Sequence, residues 1–196
     1  MKLYLVRHGE SEANRQHLLS TATVELTEKG RKDAENAGAL LRGLQFDRVF
    51  VSPYTRARQT QALALPGVEG EVVDCLHECF CGSLEGMSYA AAEQTYGDYF
   101  KQCCVVDDFT AFGGEDYANM RRRAREFMDL VAGLDCDTVA GFTHAGLILV
   151  LFDEILQRDG KPGRNVQCDN GSVSIFEYDR EAKEWTVKAL NITGRI

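Results

Sequence analysis

Two histidines in this 196-residue chain close apolar runs. His8 follows Leu3-Tyr4-Leu5-Val6-Arg7 and precedes Gly9; His144 follows Val139-Ala140-Gly141-Phe142-Thr143 and precedes Ala145-Gly146. Short apolar runs of this kind read as buried strands. In open α/β sheets ligands gather at the carboxyl ends of strands, where exposed loops stand on a rigid support. If the two strands lie side by side and parallel, both imidazoles emerge at one crevice, with Arg7 beside them. Each residue alone has a plainer account: an arginine snorkelling, a histidine capping a strand. The second copy of the arrangement shifts the balance.

Cations and carboxylates follow the same logic. Phe46 to Val51 reads as a strand stopped by Ser52-Pro53, and Tyr54 to Ala64 has helical composition. Arg56 and Arg58 therefore fall in the first turns of a helix after a strand end, where free amides and the helix dipole favour an anion. Two arginines two positions apart point in different directions, so one is expected to reach the crevice and the other to be solvated. Farther on, Glu78 and Glu85 lie in an irregular loop among Leu76, Phe80, Leu84, Gly82 and Gly86. A carboxyl group desolvated by such neighbours is favoured in its protonated form, which a general acid requires. Either glutamate could equally be an ordinary surface residue.

The remaining elements are scaffold. Thr27 is a fitting N-cap for a helix running to about Leu44, with Ala34, Ala37, Leu40 and Leu41 at helical spacing. Glu71 to Cys75 reads as a short strand, Tyr117 to Val131 as a long helix and Leu147 to Leu156 as an apolar helix. The run Arg121-Arg122-Arg123 with Arg125 reads as a charged helix face. Gly160-Lys161-Pro162-Gly163 marks a loop, and Ser172 to Tyr178 with Trp185 to Leu190 a β-hairpin. The segment 87–116 reads as a helical, cap-like insert: six acidic residues (Glu93, Asp98, Asp107, Asp108, Glu115, Asp116) against Lys101 alone, with six aromatics.

The length suits one domain over 1–196 with one well-buried core. A net charge of −8 argues against nucleic acid or an anionic membrane as partner. No apolar run approaches membrane-spanning length, and a first strand beginning at Leu3 leaves no room for a signal peptide; a cytoplasmic location is expected. Seven cysteines, an odd number, then read as reduced thiols. His77, Cys79 and Cys81 would alternate onto one side of a strand, but no matching second pair of ligands accompanies them, and no metal site is expected.

Together, Leu5-Val-Arg-His-Gly-Glu-Ser-Glu-Ala-Asn14, Ser52-Pro-Tyr-Thr-Arg56-Ala-Arg-Gln-Thr60, Leu76-His-Glu78 through Gly82 to Glu85-Gly86, and Thr143-His144-Ala-Gly146 resemble the four signature blocks of the histidine phosphatase superfamily, the phosphoglycerate mutase-like clan. The blocks span nearly the whole chain in order. The resemblance implies an α/β fold, a three-layer α/β/α sandwich with a mostly parallel central sheet and a C-terminal β-hairpin. It also implies a covalent mechanism on a small phosphorylated metabolite with no cofactor and no metal. His8 would take the phosphoryl group, Arg7, Arg56 and His144 would hold its oxygens, Glu78 would serve as acid and then base, and Asn14 would add a phosphate contact. Phosphoryl transfer asks mainly for positioning and positive charge around the equatorial oxygens, which arginine forks supply.

Cys81 and Leu84 stand where relatives often carry aromatics, which alters the pocket wall. Mutases of the clan use extra basic residues after the acid glutamate, whereas Met87 to Asp116 offers only Lys101. A phosphatase resembling the α-ribazole and broad-specificity phosphatases is therefore expected, with phosphoglycerate mutase-type transfer as the alternative. A non-catalytic phosphate-binding module would be expected to lack His8, Glu78 or an anchoring arginine, and a dinucleotide enzyme would need a glycine-rich turn where Arg7-His8-Gly9-Glu10 stands. The oligomeric state is left open, a dimer included.

Overall fold

The structure, a computed structural model, describes residues 1–158 and 166–194. The strands are β1 (Lys2–Arg7), β2 (Arg48–Val51), β3 (Glu71–Val72), β4 (Thr138–Thr143), β5 (Val173–Asp179) and β6 (Glu184–Ile192). The helices are α1 (Glu12–Gln16), α2 (Glu28–Leu40), α3 (Thr55–Ala64), α4 (Tyr89–Val106), α5 (Tyr117–Ala132) and α6 (Ala145–Ile155). The strands form one sheet in the order β3-β2-β4-β1-β5-β6. β3, β2, β4 and β1 are mutually parallel; β5 returns antiparallel beside β1 and pairs with β6 as the expected hairpin.

Strand alternation builds the three layers. Leu3 and Leu5 face one core with Phe127, Val131, Leu147 and Leu151 of α5 and α6, while Tyr4 and Val6 face the other with Ala37, Leu41, Ala57 and Ala64. A third cluster, centred on Leu84, Ala92, Phe100 and Phe109, ties α4 to the loop before it. Phe127 is fully buried and meets Phe50 edge-on at 5.8 Å. Truncating a core phenylalanine of this kind to alanine costs about 3–5 kcal/mol.

Several expected boundaries shift. Thr27 does cap α2, accepting the Gly30 N–H at 3.0 Å, but the α-helix ends at Leu40 and a turn with Gly43 at φ +85° reverses the chain. The strand expected over Glu71 to Cys75 is only two residues long. It becomes a 3-10 turn at Asp74–Leu76, because β3 lies at the sheet edge with one neighbour. Helix α4 is interrupted at Gly97 (φ 57°, ψ −134°), a conformation that favours glycine. The loop expected at Gly160 to Gly163 lies outside the described residues.

The parallel pairing of β1 with β4 sets Arg7 opposite Thr143. The His8 N–H continues the ladder onto the Thr143 carbonyl at 3.0 Å. Both histidines therefore leave the sheet at the same edge.

Candidate active site

The two imidazoles meet with ring centroids 5.1 Å apart, and both side chains are buried. His8 Nδ1 lies 2.7 Å from the Gly9 carbonyl oxygen, and His8 Nε2 lies 3.1 Å from Arg56 Nε. A carbonyl only accepts and a guanidinium only donates, so Nδ1 carries the proton and the Nε2 lone pair accepts from Arg56. Burial, reinforced by the charges of Arg56 and Arg7, holds the His8 pKa well below the usual imidazole value, against a smaller opposing effect of the Gly9 bond. His8 is thus a neutral imidazole with its basic nitrogen on the arginine side.

The loop that bears it is held closely. The Gly9 N–H donates to Thr60 Oγ1 at 3.1 Å, and a side chain on Gly9 would meet the Gly30 carbonyl oxygen at 2.1 Å. Glycine is required there because the N-terminal turn of α2 packs backbone against backbone.

His144 has different partners. Its Nε2 lies 2.8 Å from Ser52 Oγ at the end of β2, and its Nδ1, though buried, has no hydrogen-bond partner among the described residues. Burial first, then the charges of Arg56, His8 and Arg7, push its pKa well below the ordinary value.

Arg56 is 1% exposed, Arg58 exposed, as expected for residues two apart on a helix. Besides His8, Arg56 donates from Nη1 to the Thr21 carbonyl at 2.9 Å, and its guanidinium lies 5.0 Å from the ring centroid of Tyr54. Arg7 donates to the Cys168 carbonyl while its buried Nε has no protein partner among the described residues. Asn14 closes a capping box with Ser11 at the start of α1, and its Oδ1 also accepts from Asn170 at 3.3 Å. With that oxygen occupied, its amide NH₂ is the group left to donate.

Glu78 lies on the opposite wall. Its Oε1 accepts the Cys79 N–H at 3.0 Å, and its Oε2 is 3.5 Å from the Gly146 nitrogen. A Cβ on Gly146 would fall 2.3 Å from Oε1 and 3.1 Å from the Met120 methyl, so the carboxylate reaches this place only because position 146 has no side chain. The apolar company expected for Glu78 is corrected in part: Leu76 and Leu84 are buried, but Phe80 is 40% exposed. Glu85 is outside the cavity wall, and burial raises its carboxyl pKa against the lowering effect of Arg56.

Arg7, His8, Asn14, Arg56 and Glu78 line one cavity of about 410 Å³; His144, fully buried against His8, is behind its wall, where Ala145 and Gly146 line it. Its farther walls are Leu18, Leu19, Tyr89, Phe109, Leu149 and Val150, with Cys79, Cys81 and Cys104 between. Two carboxylates, Asp107 and Asp153, also face it. Among the described residues, no group of three or more histidine, cysteine or acidic side chains gathers as a metal site.

The structure thus brings together a pair of strand-end histidines, one of them a neutral imidazole beside Arg56 and near Arg7, with a carboxylate opposite. The model of the histidine phosphatase superfamily (branch 1) matches residues 3–193. The chain belongs to the histidine phosphatase superfamily. Within the superfamily it is 35% identical to an adenosylcobalamin/α-ribazole phosphatase of Salmonella typhimurium, over 97% of this chain and 96% of that protein. It is 27% identical to a broad-specificity phosphatase of Saccharomyces cerevisiae, over 100% of this chain and 87% of the yeast protein. The crystal structure of the α-ribazole phosphatase from Shigella flexneri superposes with a TM-score of 0.83 at 26% identity, covering 97% and 96% of the two chains. A phosphohistidine intermediate is general to this superfamily.

Some partners within this histidine phosphatase site escape a reading of the sequence. Ser52, Thr60 and Tyr54 contact His144, the Gly9 loop and Arg56 from α3 and the turn before it. They belong to the Ser52-to-Thr60 block, but their roles are not legible there, since the partners of Ser52 and Thr60 are distant in the chain. The reading of Arg121 to Arg123 as a charged face is corrected: Arg122 is exposed, but Arg123 is only 4% exposed. A signal was available. Arg123 lies three residues after Met120 and four before Phe127, on the stripe with Tyr117, Ala124 and Val131 that α5 buries.

Proposed function

We propose that this protein hydrolyses a small phosphomonoester through a phosphohistidine on His8, without metal or cofactor. The observation that carries the reading is the state of His8: neutral, protonated on Nδ1, with its Nε2 lone pair turned to Arg56. Nε2 attacks phosphorus in line as the Arg56 N–H passes from that lone pair to a phosphoryl oxygen. Arg7 Nε and, in its Nδ1–H tautomer, His144, both without a hydrogen-bond partner at these nitrogens among the described residues, take the remaining oxygens with the Asn14 amide and stabilise charge as it spreads over them. Glu78 gives a proton to the departing alkoxide, then removes one from the water that cleaves the phosphohistidine.

The walls favour water as acceptor and a single phosphate on the substrate. Among the described residues, Arg7 and Arg56 are the arginines lining the cavity, and both belong to the phosphoryl end; the farther walls are largely apolar, with His17, Ser20 and the carboxylates of Asp107 and Asp153 among them. A second phosphate would find no arginine among the described residues of those walls. The segment 87–116 acts as a cap, contributing Tyr89, Cys104, Asp107 and Phe109 to the walls, within one domain over 1–196. The relatives named above make α-ribazole phosphate the first compound to test. A cytoplasmic location fits the seven free thiols and the absence, among the described residues, of a helix long and apolar enough to cross a membrane.

The test is phosphate release from a panel of monoesters in EDTA, with 3-phosphoglycerate plus bisphosphoglycerate alongside. Metal-independent release is expected, abolished in His8→Ala. Primer-dependent isomerisation without net release would make the protein a mutase, and release that vanishes in EDTA would overturn the metal-free mechanism.

A further inference from the structure

Behind the Glu78 wall, away from the cavity, stands a buried ion pair that the mechanism does not use. Arg123 and Glu115 have side chains only 5% and 12% exposed. The guanidinium donates from Nε to Glu115 Oε2 at 3.1 Å and from Nη2 to Glu115 Oε1 at 2.5 Å, a two-point contact. Its Nη1 donates to two carbonyls, Cys75 at 3.0 Å and His77 at 2.7 Å. Glu115 then reaches the other side of the same loop. Its Oε1 accepts the Phe80 N–H at 3.0 Å, and its backbone N–H donates to the Phe80 carbonyl at 2.9 Å.

We propose that Arg123 and Glu115 are positioning residues, a clip that grips the loop on both sides of Glu78 and sets where its carboxylate stands. The proposal rests on Glu78 being the proton donor. From His77 to Cys81 the chain is in neither helix nor strand, so its backbone groups need partners from elsewhere. The clip supplies them on both flanks, and Thr143 Oγ1, donating to the Leu76 carbonyl at 2.7 Å, ties the same loop to the strand end that bears His144. Glu78 itself touches little that would place it: one amide of its own loop and, at 3.5 Å, that of Gly146. Its position therefore follows the backbone that the clip holds. Neither Arg123 nor Glu115 lines the active-site cavity, so neither touches substrate.

The experiment compares an alkyl phosphate, whose leaving alcohol needs a proton, with nitrophenyl phosphate, whose leaving group does not. Arg123→Met is expected to lower kcat on the alkyl ester by about 10–100-fold and on the nitrophenyl ester by less than about threefold. Arg123→Lys is expected to restore part of the loss. In a Glu78→Gln background Arg123→Met should cost almost nothing further, because a misplaced acid and an absent acid are equivalent. Equal slowing of both esters, no slowing, or full additivity with Glu78→Gln would overturn the proposal.

Should Arg123→Met fail to fold, Glu115→Gln, which keeps an acceptor for the Phe80 N–H, carries the same comparison. Glu78→Gln alone separates the two ideas. Unselective slowing there defeats the acid assignment and the clip with it; selective slowing there, with unselective slowing in Arg123→Met, defeats the clip alone.

Discussion

The two ends of the active-site cavity are built in different ways. Arg7, His8 and His144 stand on or just past the ends of two adjacent parallel strands, and Arg56 on the first turn of the helix after a third. All of their backbones belong to, or directly continue, regular hydrogen-bonded structure. The opposite wall is a loop of 3-10 turns and an interrupted helix: Glu78 before Gly82 at φ +61°, then α4 broken at Gly97. The first end is positioned by the sheet, the second by side chains from elsewhere. In the proposed mechanism the sheet end carries the chemistry common to any phosphoryl group, whereas the loop end serves the alcohol that leaves.

Variants can break or sharpen that division. The largest effect is expected at the sheet end. His8→Ala should lower turnover about 10⁴-fold or more on every ester alike, and no acid-labile phosphoenzyme should be trapped on rapid quenching; a trapped phosphoenzyme in that variant would remove His8 from its role. Next comes Glu78→Gln, expected to slow alkyl esters by about 10²–10³-fold and nitrophenyl phosphate by less than about tenfold. A steady-state rate series over leaving-group pKa reads this directly. Gly146→Ala should resemble a milder Glu78→Gln, about 10-fold on alkyl esters, because its methyl group displaces the carboxylate. Thermal stability should be nearly unchanged if only the carboxylate moves.

A smaller effect concerns stability and pH. His8 and His144 both titrate below the ordinary imidazole pKa in the folded protein because of burial and nearby arginines. Between the folded and unfolded pKa values the unfolded chain binds more protons, so stability rises with pH in that window. The contribution is fully present above about pH 6.5 and is lost as pH falls below it, at up to about 1.4 kcal/mol per pH unit for each histidine. Urea denaturation between pH 7 and pH 5 should therefore show a steep decline that is shallower by about one proton in His8→Asn. An unchanged slope would mean that His8 is not held neutral. The smallest effect is expected at the far wall, where Asp107→Asn should leave steady-state monoester turnover within about twofold, because its side chain belongs to the wall and not to the phosphoryl end.

The two histidines show how far the chain can be read by itself. Both end a strand, both precede a glycine closely, and both are buried and neutral. Their difference lies in their partners: a carbonyl and a guanidinium at His8, a serine hydroxyl at His144. In the proposed mechanism that difference separates the nucleophile from a phosphoryl contact, and it depends on Arg56 and Ser52 arriving from a third strand–helix unit. Arg123 makes the same point from the other direction. Its place on the apolar stripe of α5 was visible at helical spacing, yet its partners Cys75, His77 and Glu115 were not.

What the sequence by itself determined is what short-range patterning encodes. The apolar runs became strands, the capped amphipathic stretches became helices, and the strand-end placement of Arg7, His8, Arg56 and His144 followed from where those runs stop. Only the tertiary structure decided that β4 lies between β1 and β2, which brings His144 to both His8 and Ser52. It also decided which nitrogen of His8 carries the proton, and how the Glu78 loop is held. The physical reason is range. Strand and helix propensities are settled within a few residues, whereas strand order, proton position and the gripping of an irregular loop depend on partners distant in the chain that meet only when the sheet closes its core.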